Sequence, residues 1–314
     1  MEEITPKVSV IMSVYNEEKH LREAVESILN QTFKDFEFII INDGSTDRTG
    51  DILESYADER IVIVNQDKTG LTKALNRGLS LARGKYIARM DADDISLPKR
   101  LEKQIQFLEE NTGVELVSCH FYEIDSGGCQ INLCQLPVKN EDIQKSLLVC
   151  NQFCHGAAVF KSECIRTIGT YREFFRFSQD FDLWLRIAEK FKCANLNTPL
   201  YKWRINPQSQ FSASIKDRED QCLYAAFAII LSKERRKSGQ DRLEKFPDKQ
   251  WNLKREINFK ARIVILSKIY LLTSKALQKR RGIASARILA KQACYCNPFQ
   301  WENWRNLLAL MRCV

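Results

Sequence analysis

In the segment KYIARMDADD, residues 85–94, an apolar-flanked stretch is followed by three carboxylates, Asp91, Asp93 and Asp94. Like charges at this spacing repel one another, and a divalent cation or a hydrogen-bonded ligand would neutralise that repulsion. An acidic turn ahead of a helix over Pro98–Glu110 is the alternative, because the N-terminal end of a helix also favours acidic residues. The segment alone leaves both interpretations open.

The sequence on either side alternates between strand and helix patterns. Apolar, β-rich runs predict strands at Val8–Val14, Phe36–Ile41, Ile61–Asn65 and Lys85–Met90. Helical patterns lie between them, at residues 21–29, Arg48–Ala57 and Leu71–Ala82. This alternation predicts an α/β fold with a parallel, doubly wound sheet, whose ligands bind beyond the carboxyl ends of the strands. Glu17, Asp43 and Asp93 each follow such an end.

Five motifs over about the first two-thirds of the chain resemble those of the family 2 glycosyltransferases. They are SVIMSVYNEE at 9–18, INDGSTD at 41–47, GLTKALNRG at 70–78, ARMDADD at 88–94 and SQDFDLWLR at 178–186. Each motif is weak alone, but their common order argues against chance. The resemblance implies a GT-A nucleotide-sugar-binding fold, with a Rossmann-like mixed, mainly parallel sheet flanked by helices. It also implies an inverting enzyme similar to bacterial polysaccharide-biosynthesis transferases.

A sugar nucleotide presents a flat base, a ribose diol and a pyrophosphate, so its site needs an apolar wall, directional acceptors and charge neutralisation. Tyr15 suits the wall. The resemblance implies that Asp43 accepts a hydrogen bond from the base edge, whereas a turn residue bonding its own backbone is the alternative. The expected donor is a UDP-sugar. The other predicted donor-binding residues are Glu17, Asn76, Arg77, Asp91 and Arg204.

The resemblance assigns the two acidic positions of an Asp-any-Asp motif to a cation. Asp91 would approach ribose and metal, and Asp93 would hold Mg²⁺ or Mn²⁺, ions that favour hard oxygen ligands. The cation would bridge the diphosphate and stabilise the departing nucleotide. Arg204 lies near the position where many relatives carry a histidine. An arginine cannot bind the metal, but it can pair with phosphate oxygens in a fork.

An acceptor hydroxyl is a poor nucleophile at neutral pH, so a carboxylate should take its proton. Asp180 matches the family's catalytic base, and Gln179 stands where the family usually has a glutamate. A helix-capping role is the alternative for Asp180 and Asp182, at the start of a helix over Phe181–Glu189. Attack opposite the leaving group would invert the anomeric configuration.

The segment CHGAAVF, residues 154–160, resembles the floor of the family's acceptor pocket, where small residues leave room for a sugar. His155 either touches the acceptor or phosphate, or has a structural role. The predicted acceptor set is His155, Gly156 and Trp184. The expected acceptor is a saccharide or a lipid-linked molecule.

The 314 residues predict two domains, a GT-A domain over residues 1–214 and a helical, basic region over 215–314. The second region carries 22 Lys and Arg against 9 Asp and Glu, a net charge of +13. Its candidate helices are Gln221–Lys233, Trp251–Thr273 and Ile283–Ala293. Basic residues interleaved with apolar ones suit an anionic membrane surface. Packing against the catalytic domain, or a dimer contact, is the alternative.

Composition favours an ordinary folded protein, with 44% apolar and 28% charged residues. None of the 11 cysteines forms a Cys-x-x-Cys pair. No apolar run approaches the ~20 residues of a membrane span. The residues Met1–Lys7 do not have the pattern of a signal peptide. We therefore expect a cytoplasmic protein, and the two alternatives for the basic region leave open a peripheral place at the inner face of the plasma membrane. A catalytically silent nucleotide-sugar binder is one alternative. A nucleic-acid-binding protein is a weaker one, since the acidic loops would repel phosphate.

Overall fold

The computed structural model describes residues 5–205 and 215–257 of the chain. The chain divides into two compact units, Met1–Pro207 and Gln208–Val314. The first unit carries a nine-stranded sheet, and the described part of the second is helical.

The amino-terminal half of the sheet is parallel. Its strands are β1 (Val8–Val14), β2 (Phe36–Asp43), β3 (Ile61–Gln66) and β4 (Tyr86–Asp91), in the order β3-β2-β1-β4. The connecting helices are α1 (Leu21–Leu29), α2 (Thr49–Glu54) and α3 (Leu71–Leu81). The predicted α/β alternation is confirmed for this half. The differences are at the ends, where β4 continues to Asp91 and α2 is shorter than the predicted Arg48–Ala57.

Helices cover both faces of this half, because successive side chains on a strand point to opposite sides. Along β2, Phe38 and Ile40 belong to the core that contains Val25 of α1, whereas Ile39 and Ile41 pack with Ala74 of α3. The approach of α3 is close: a Cβ on its Gly78 would lie 2.6 Å from Ile11 Cγ2. A glycine is therefore required at this crossing.

The remaining strands make the sheet mixed. In chain order the elements are β5 (Ile95–Ser96), α4 (Arg100–Glu110), β6 (Val114–Ile124), β7 (Gln130–Cys134), α5 (Asn140–Leu147), a 3₁₀ turn (His155–Ala157), β8 (Val159–Lys161), α6 (Ser162–Ile168), α7 (Gln179–Lys190) and β9 (Lys192–Arg204). From β4 the sheet continues as β8-β6-β9-β5, with β7 paired to β6. Strand β8 is antiparallel to β4 and β6, whereas β6 and β9 are parallel. Helix α4 begins two residues after the predicted Pro98.

The sheet register brings the candidate residues to one edge. Strand β1 pairs Ser13 with Asp91 of β4 and Val14 with Asn42 of β2, so these strands end together. Because β8 runs antiparallel to β4, the residues that precede β8 lie beside the end of β4, and the Arg89 N–H donates to the Ala158 carbonyl at 2.8 Å. The predicted donor and acceptor segments therefore meet at this edge, called here the carboxyl edge.

The described part of the second unit comprises α8 (Ile215–Ser238), α9 (Arg242–Lys245) and α10 (Leu253–Glu256). Phe227 of α8 is buried beside Trp251, at 6.1 Å between ring centroids. The predicted helix Gln221–Lys233 lies within α8, whereas Ile283–Ala293 and most of Trp251–Thr273 lie outside the described residues. Among the described helices, none is both long and apolar enough to cross a bilayer.

Candidate active site

Tyr15 follows the last residue of β1 and is 40% exposed. The Lys68 ammonium lies over its ring, 3.7 Å from the centroid, in a cation–π contact. The contact of Lys68 could not be predicted, because a lysine in the loop before α3 belongs to no motif. The Tyr15 ring remains the predicted wall for a base.

Asp43, the last residue of β2, is 2% exposed and accepts four hydrogen bonds. Its donors are Gln66 Nε2 (2.8 Å), Thr69 N (2.8 Å), Thr69 Oγ1 (3.0 Å) and Gly70 N (2.8 Å). Burial alone would raise the pKa of Asp43, but these hydrogen bonds outweigh it and lower the pKa below its ordinary value. The carboxylate thus stays ionised and fixes the loop before α3.

These partners overturn the local-turn alternative for Asp43, since they lie 23 to 27 residues away. The neighbouring Asn42 makes the local contact instead, accepting from the Ser45 N–H at 3.2 Å. The contact of Asp43 with a base edge stays a prediction.

The three carboxylates after β4 have different surroundings. Asp91 is partly exposed and accepts from Arg89 Nη2 at 2.5 Å. Desolvation, and after it the negative charges of Asp91 and Glu17, raise the pKa of Asp93 to about 7. Asp94 is buried and accepts from the Arg204 N–H at 2.7 Å. Asp94 is therefore structural, whereas Asp91 and Asp93 form the negative pair at the carboxyl edge.

The surroundings of Asp93 fit a divalent cation. After desolvation, the negative charges of Asp91 and Glu17 contribute to the raised pKa of Asp93, and a divalent cation would stabilise the three carboxylates together. In the described ranges, no group of three or more His, Cys, Asp or Glu side chains is arranged to hold a metal. Two carboxylates would leave the remaining positions to phosphate and water, an arrangement typical of Mg²⁺ bound with nucleotides.

Arg204, at the end of β9, holds the loop that carries Asp93. Its side chain is 1% exposed. Nε donates to the Asp93 carbonyl at 2.7 Å, and Nη2 donates to Glu23 Oε2 at 2.5 Å. Nη1 donates to the carbonyls of Asp125 and Ser126 at 3.1 and 3.3 Å. The predicted fork to donor phosphates would require Arg204 to leave these partners, so this arrangement gives it a bracing role.

Asn76 and Arg77 occupy successive positions of α3 but differ in surroundings. Asn76 donates to the Tyr171 carbonyl at 2.9 Å and accepts from the Tyr171 N–H at 3.1 Å. The prediction that Asn76 binds the donor is corrected, because its amide pins the segment before α7 instead. Arg77 is exposed, and its contact with a diphosphate stays a prediction.

Asp180 lies in the first turn of α7, partly buried. Its Oδ2 accepts from Asn151 Nδ2 at 2.8 Å. Ser178, just before the helix, has φ 56° and ψ 27°, a left-handed conformation that costs energy for serine and often marks functional sites. Asp182 is instead fully buried and accepts from Arg186 Nε at 2.9 Å. Of these two carboxylates, Asp180 is the one with partial solvent exposure.

His155 is hydrogen-bonded to two side chains and is affected by the charges of Asp91 and Asp180. Its Nε2 accepts from Arg89 Nε at 3.1 Å and bonds the Tyr171 hydroxyl at 3.0 Å. Desolvation and, next, the charge of Arg89 lower the pKa of His155 to about 4, although Asp91 and Asp180 both act to raise it. The imidazole is therefore neutral near pH 7. Of the two alternatives for His155, contact with the acceptor or phosphate and a structural role, Nε2 has the structural one.

Trp184 is fully buried, so the prediction that it contacts the acceptor is wrong. Its ring packs edge-on against Phe153, His155 and Phe160, at centroid distances of 6.1, 6.1 and 5.8 Å. It supports His155 from behind.

The model of the glycosyl transferase family 2 matches residues 9–166. The chain belongs to this family. An uncharacterized glycosyltransferase of Methanocaldococcus jannaschii is 37% identical over 231 residues, covering 71% of this chain and 78% of the relative. The O-antigen biosynthesis glycosyltransferase WbnJ of Escherichia coli is 37% identical over 212 residues, covering 66% of this chain and 82% of the relative.

Solved structures show the fold of this family 2 glycosyltransferase. A mannosyltransferase from Pyrobaculum calidifontis, in complex with GDP-Man and Mn²⁺, has a TM-score of 0.58 at 19% identity, over 98% of this chain and 85% of that chain. S. aureus TarS 1–349 with UDP-GlcNAc has a TM-score of 0.57 at 16% identity, over 98% and 90%. The match to another crystal structure of TarS covers 55% of the TarS chain. The predicted GT-A fold is confirmed.

Gly156 lies where the predicted acceptor segment meets Asp91 and Tyr201. A Cβ there would lie 2.1 Å from Tyr201 Oη and 2.8 Å from Asp91 Oδ2. We expect Gly156→Ala to lower the free energy of unfolding by about 1–3 kcal/mol, because the buried neighbours must shift. Urea denaturation measures this change. Gly50→Ala of α2 is the control, because the nearest atom outside the helix backbone, Asn42 Nδ2, would lie 3.9 Å from the added Cβ. Equal stabilities of both variants would contradict this packing.

Proposed function

We propose that this protein is an inverting, metal-assisted glycosyltransferase. It would move a sugar from a nucleotide sugar to an acceptor hydroxyl, in the synthesis of a cell-surface polysaccharide or glycolipid. The observation that carries the proposal is that the proposed cation carboxylate and the proposed base both lie near one histidine. Arg89 joins His155 to Asp91, and the charge of Asp180 also acts on His155.

The donor half of the proposal rests on the carboxyl edge. Tyr15 offers an exposed ring to a base, and Asp43 is an ionised acceptor held in place by the loop before α3. Asp91 and Asp93 would hold Mn²⁺ or Mg²⁺ against the diphosphate. A UDP-sugar is the proposed donor. The GT-A structures of similar fold were solved with UDP-GlcNAc and with GDP-Man and Mn²⁺, which supports the nucleotide-sugar class.

The chemistry proposed for Asp180 is general-base catalysis. Its Oδ2 is held by Asn151, which leaves Oδ1 to take the acceptor proton. The acceptor oxygen then bonds to the anomeric carbon as the bond from that carbon to the phosphate oxygen breaks, and attack from the opposite face inverts the configuration. A bound cation supplies charge neutralisation on the departing diphosphate.

A thermal-shift screen tests the donor class and the cation together. We expect a UDP-sugar to raise the melting temperature in the presence of Mn²⁺ and much less with EDTA. A ligand at 100 times its Kd adds about 2.7 kcal/mol to stability, which is well within detection. GDP-sugars are the comparison set. If no nucleotide sugar shifts the melting temperature with or without Mn²⁺, the proposed donor site is refuted.

We also propose that the basic region 215–314 draws the enzyme to anionic membranes, where lipid-linked acceptors lie. Its +13 charge contributes up to ~1 kcal/mol for each basic residue that reaches the surface, and salt weakens this attraction. We expect co-sedimentation with phosphatidylglycerol vesicles, released by rising NaCl, and little with phosphatidylcholine vesicles. Equal or absent binding to both would support the packing alternative.

A further inference from the structure

A charged side chain lies inside the sheet just below the carboxyl edge. Arg89 of β4 is 1% exposed. Burying a guanidinium is costly unless its N–H groups find acceptors. Arg89 stands two residues before Asp91, and side chains two apart on a strand point to the same face. Its contacts show how the cost of burial is offset.

The guanidinium of Arg89 joins the backbone to the site. Nη1 donates to the carbonyls of Ile11 and Met90, both at 2.7 Å. These bonds fix the plane of the group on β1 and β4. Nε then donates to His155 Nε2 at 3.1 Å, and Nη2 donates to Asp91 Oδ1 at 2.5 Å. One rigid fork therefore sets the orientation of a carboxylate and an imidazole together.

The carboxylate of Asp91 is held through one of its two oxygens. Oδ1 is held by Arg89, and Oδ2 lies against Gly156, where a Cβ would be 2.8 Å away. The Asp91 N–H also donates to the Tyr201 hydroxyl at 3.3 Å. A carboxylate held through one oxygen offers the other to a cation in a fixed direction, and outer partners of this kind tune metal affinity.

The contact with His155 needs a neutral imidazole, because only an unprotonated nitrogen can accept from Arg89 Nε. The surroundings of His155 keep it neutral near pH 7, as described above. Its other partner, the Tyr171 hydroxyl, belongs to the residue whose backbone Asn76 pins. A hydrogen-bonded chain thus runs from α3 through Tyr171, His155 and Arg89 to Asp91.

We propose that Arg89 is a positioning residue for the cation site: supported by His155, it holds Asp91 Oδ1 so that Asp91 is oriented toward a divalent cation. This inference rests on the proposed function, which assigns Asp91 and Asp93 to the cation.

Mn²⁺ binding to the full-length chain tests this role without any turnover. The free Mn²⁺ signal in electron paramagnetic resonance is titrated in the presence of UDP and, separately, of GDP. Arg89→Lys keeps the charge but cannot reproduce the fork. Arg186→Lys is the matched control, because Arg186 is 5% exposed and donates to Asp182 and to the carbonyls of Ile168 and Thr170. Melting temperatures of both variants report the loss of packing.

We expect Arg89→Lys to weaken Mn²⁺ binding by about 10- to 100-fold, the usual effect of losing an outer partner. Arg186→Lys should lower the melting temperature while its Mn²⁺ affinity stays within about twofold of wild type. An unchanged affinity in folded Arg89→Lys would overturn the inference alone. If the wild-type chain bound no Mn²⁺ with either nucleotide, the proposed function would fail as well.

A second pair of variants serves if Arg89→Lys does not fold. His155→Gln keeps an acceptor for Arg89 Nε, whereas His155→Leu removes it and leaves a buried donor unpaired. We expect Gln to retain Mn²⁺ affinity better than Leu by about tenfold. Equal affinities in the two variants would refute the support that His155 gives to Arg89.

Discussion

Replacing Asp180 with Asn is expected to lower turnover by about 10²- to 10⁴-fold, because the amide cannot take the acceptor proton. The shape of the side chain is kept, and Asn151 Nδ2 can still donate to the amide oxygen at the position of Oδ2. Donor affinity should change little, since Asp180 is not among the residues proposed to bind the donor or the cation. Initial rates at saturating acceptor, with calorimetry of UDP binding, separate the two effects.

Asp142→Asn is the matched control for this variant. Asp142 is an exposed acidic residue in the first turn of α5, so its replacement makes the same change in net charge and in helix-end electrostatics. It should leave turnover unchanged. Near-normal turnover of Asp180→Asn at saturating acceptor would exclude Asp180 as the base and leave its helix-capping alternative.

Asp93→Asn is expected to abolish the Mn²⁺ dependence of UDP binding. Desolvation and the negative charges of Asp91 and Glu17 already disfavour the ionised form of Asp93, so a bound cation would stabilise this carboxylate. Calorimetry with Mn²⁺ and then with EDTA gives the ratio of affinities. Wild type should show a large ratio, and the variant a ratio near one.

Stability separates this effect from misfolding. Because the Asn side chain removes a crowded charge, the metal-free variant should melt at or above the wild-type temperature. Asp142 is exposed on α5, so Asp142→Asn should keep the wild-type ratio of UDP affinities with Mn²⁺ and with EDTA. If Asp93→Asn were well folded and still bound UDP in a Mn²⁺-dependent way, Asp93 would not belong to the cation site.

Much of the carboxyl edge could be predicted because it depends on chain order alone. In a parallel sheet the residues that follow successive strands must meet at one edge, and the register of β1 with β2 and β4 confirms this for Asp43 and Asp91. The antiparallel pairing of β8 with β4 could not be obtained from the strand pattern, because β8 has only three residues. That pairing brings His155 to the site.

Individual roles were harder to predict where a partner lies far along the chain. Arg89 occurs in a buried strand, and its Nε donates to the neutral ring of His155, 66 residues later. Asn76 belongs to one of the family motifs, but its amide is hydrogen-bonded to the backbone of Tyr171, 95 residues away. Trp184 follows the candidate base in sequence, yet packing against Phe153 and Phe160 removes it from the surface. Long-range contacts of this kind leave no local signal.

A crystal structure with UDP and Mn²⁺, with anomalous data at the manganese absorption edge, tests the central claim most directly. The account predicts an anomalous peak between Asp93 and the diphosphate, near Asp91, with the base against Tyr15 and its edge at Asp43. A nucleotide bound away from Tyr15 and Asp43, or a manganese peak that does not contact Asp93, would contradict it.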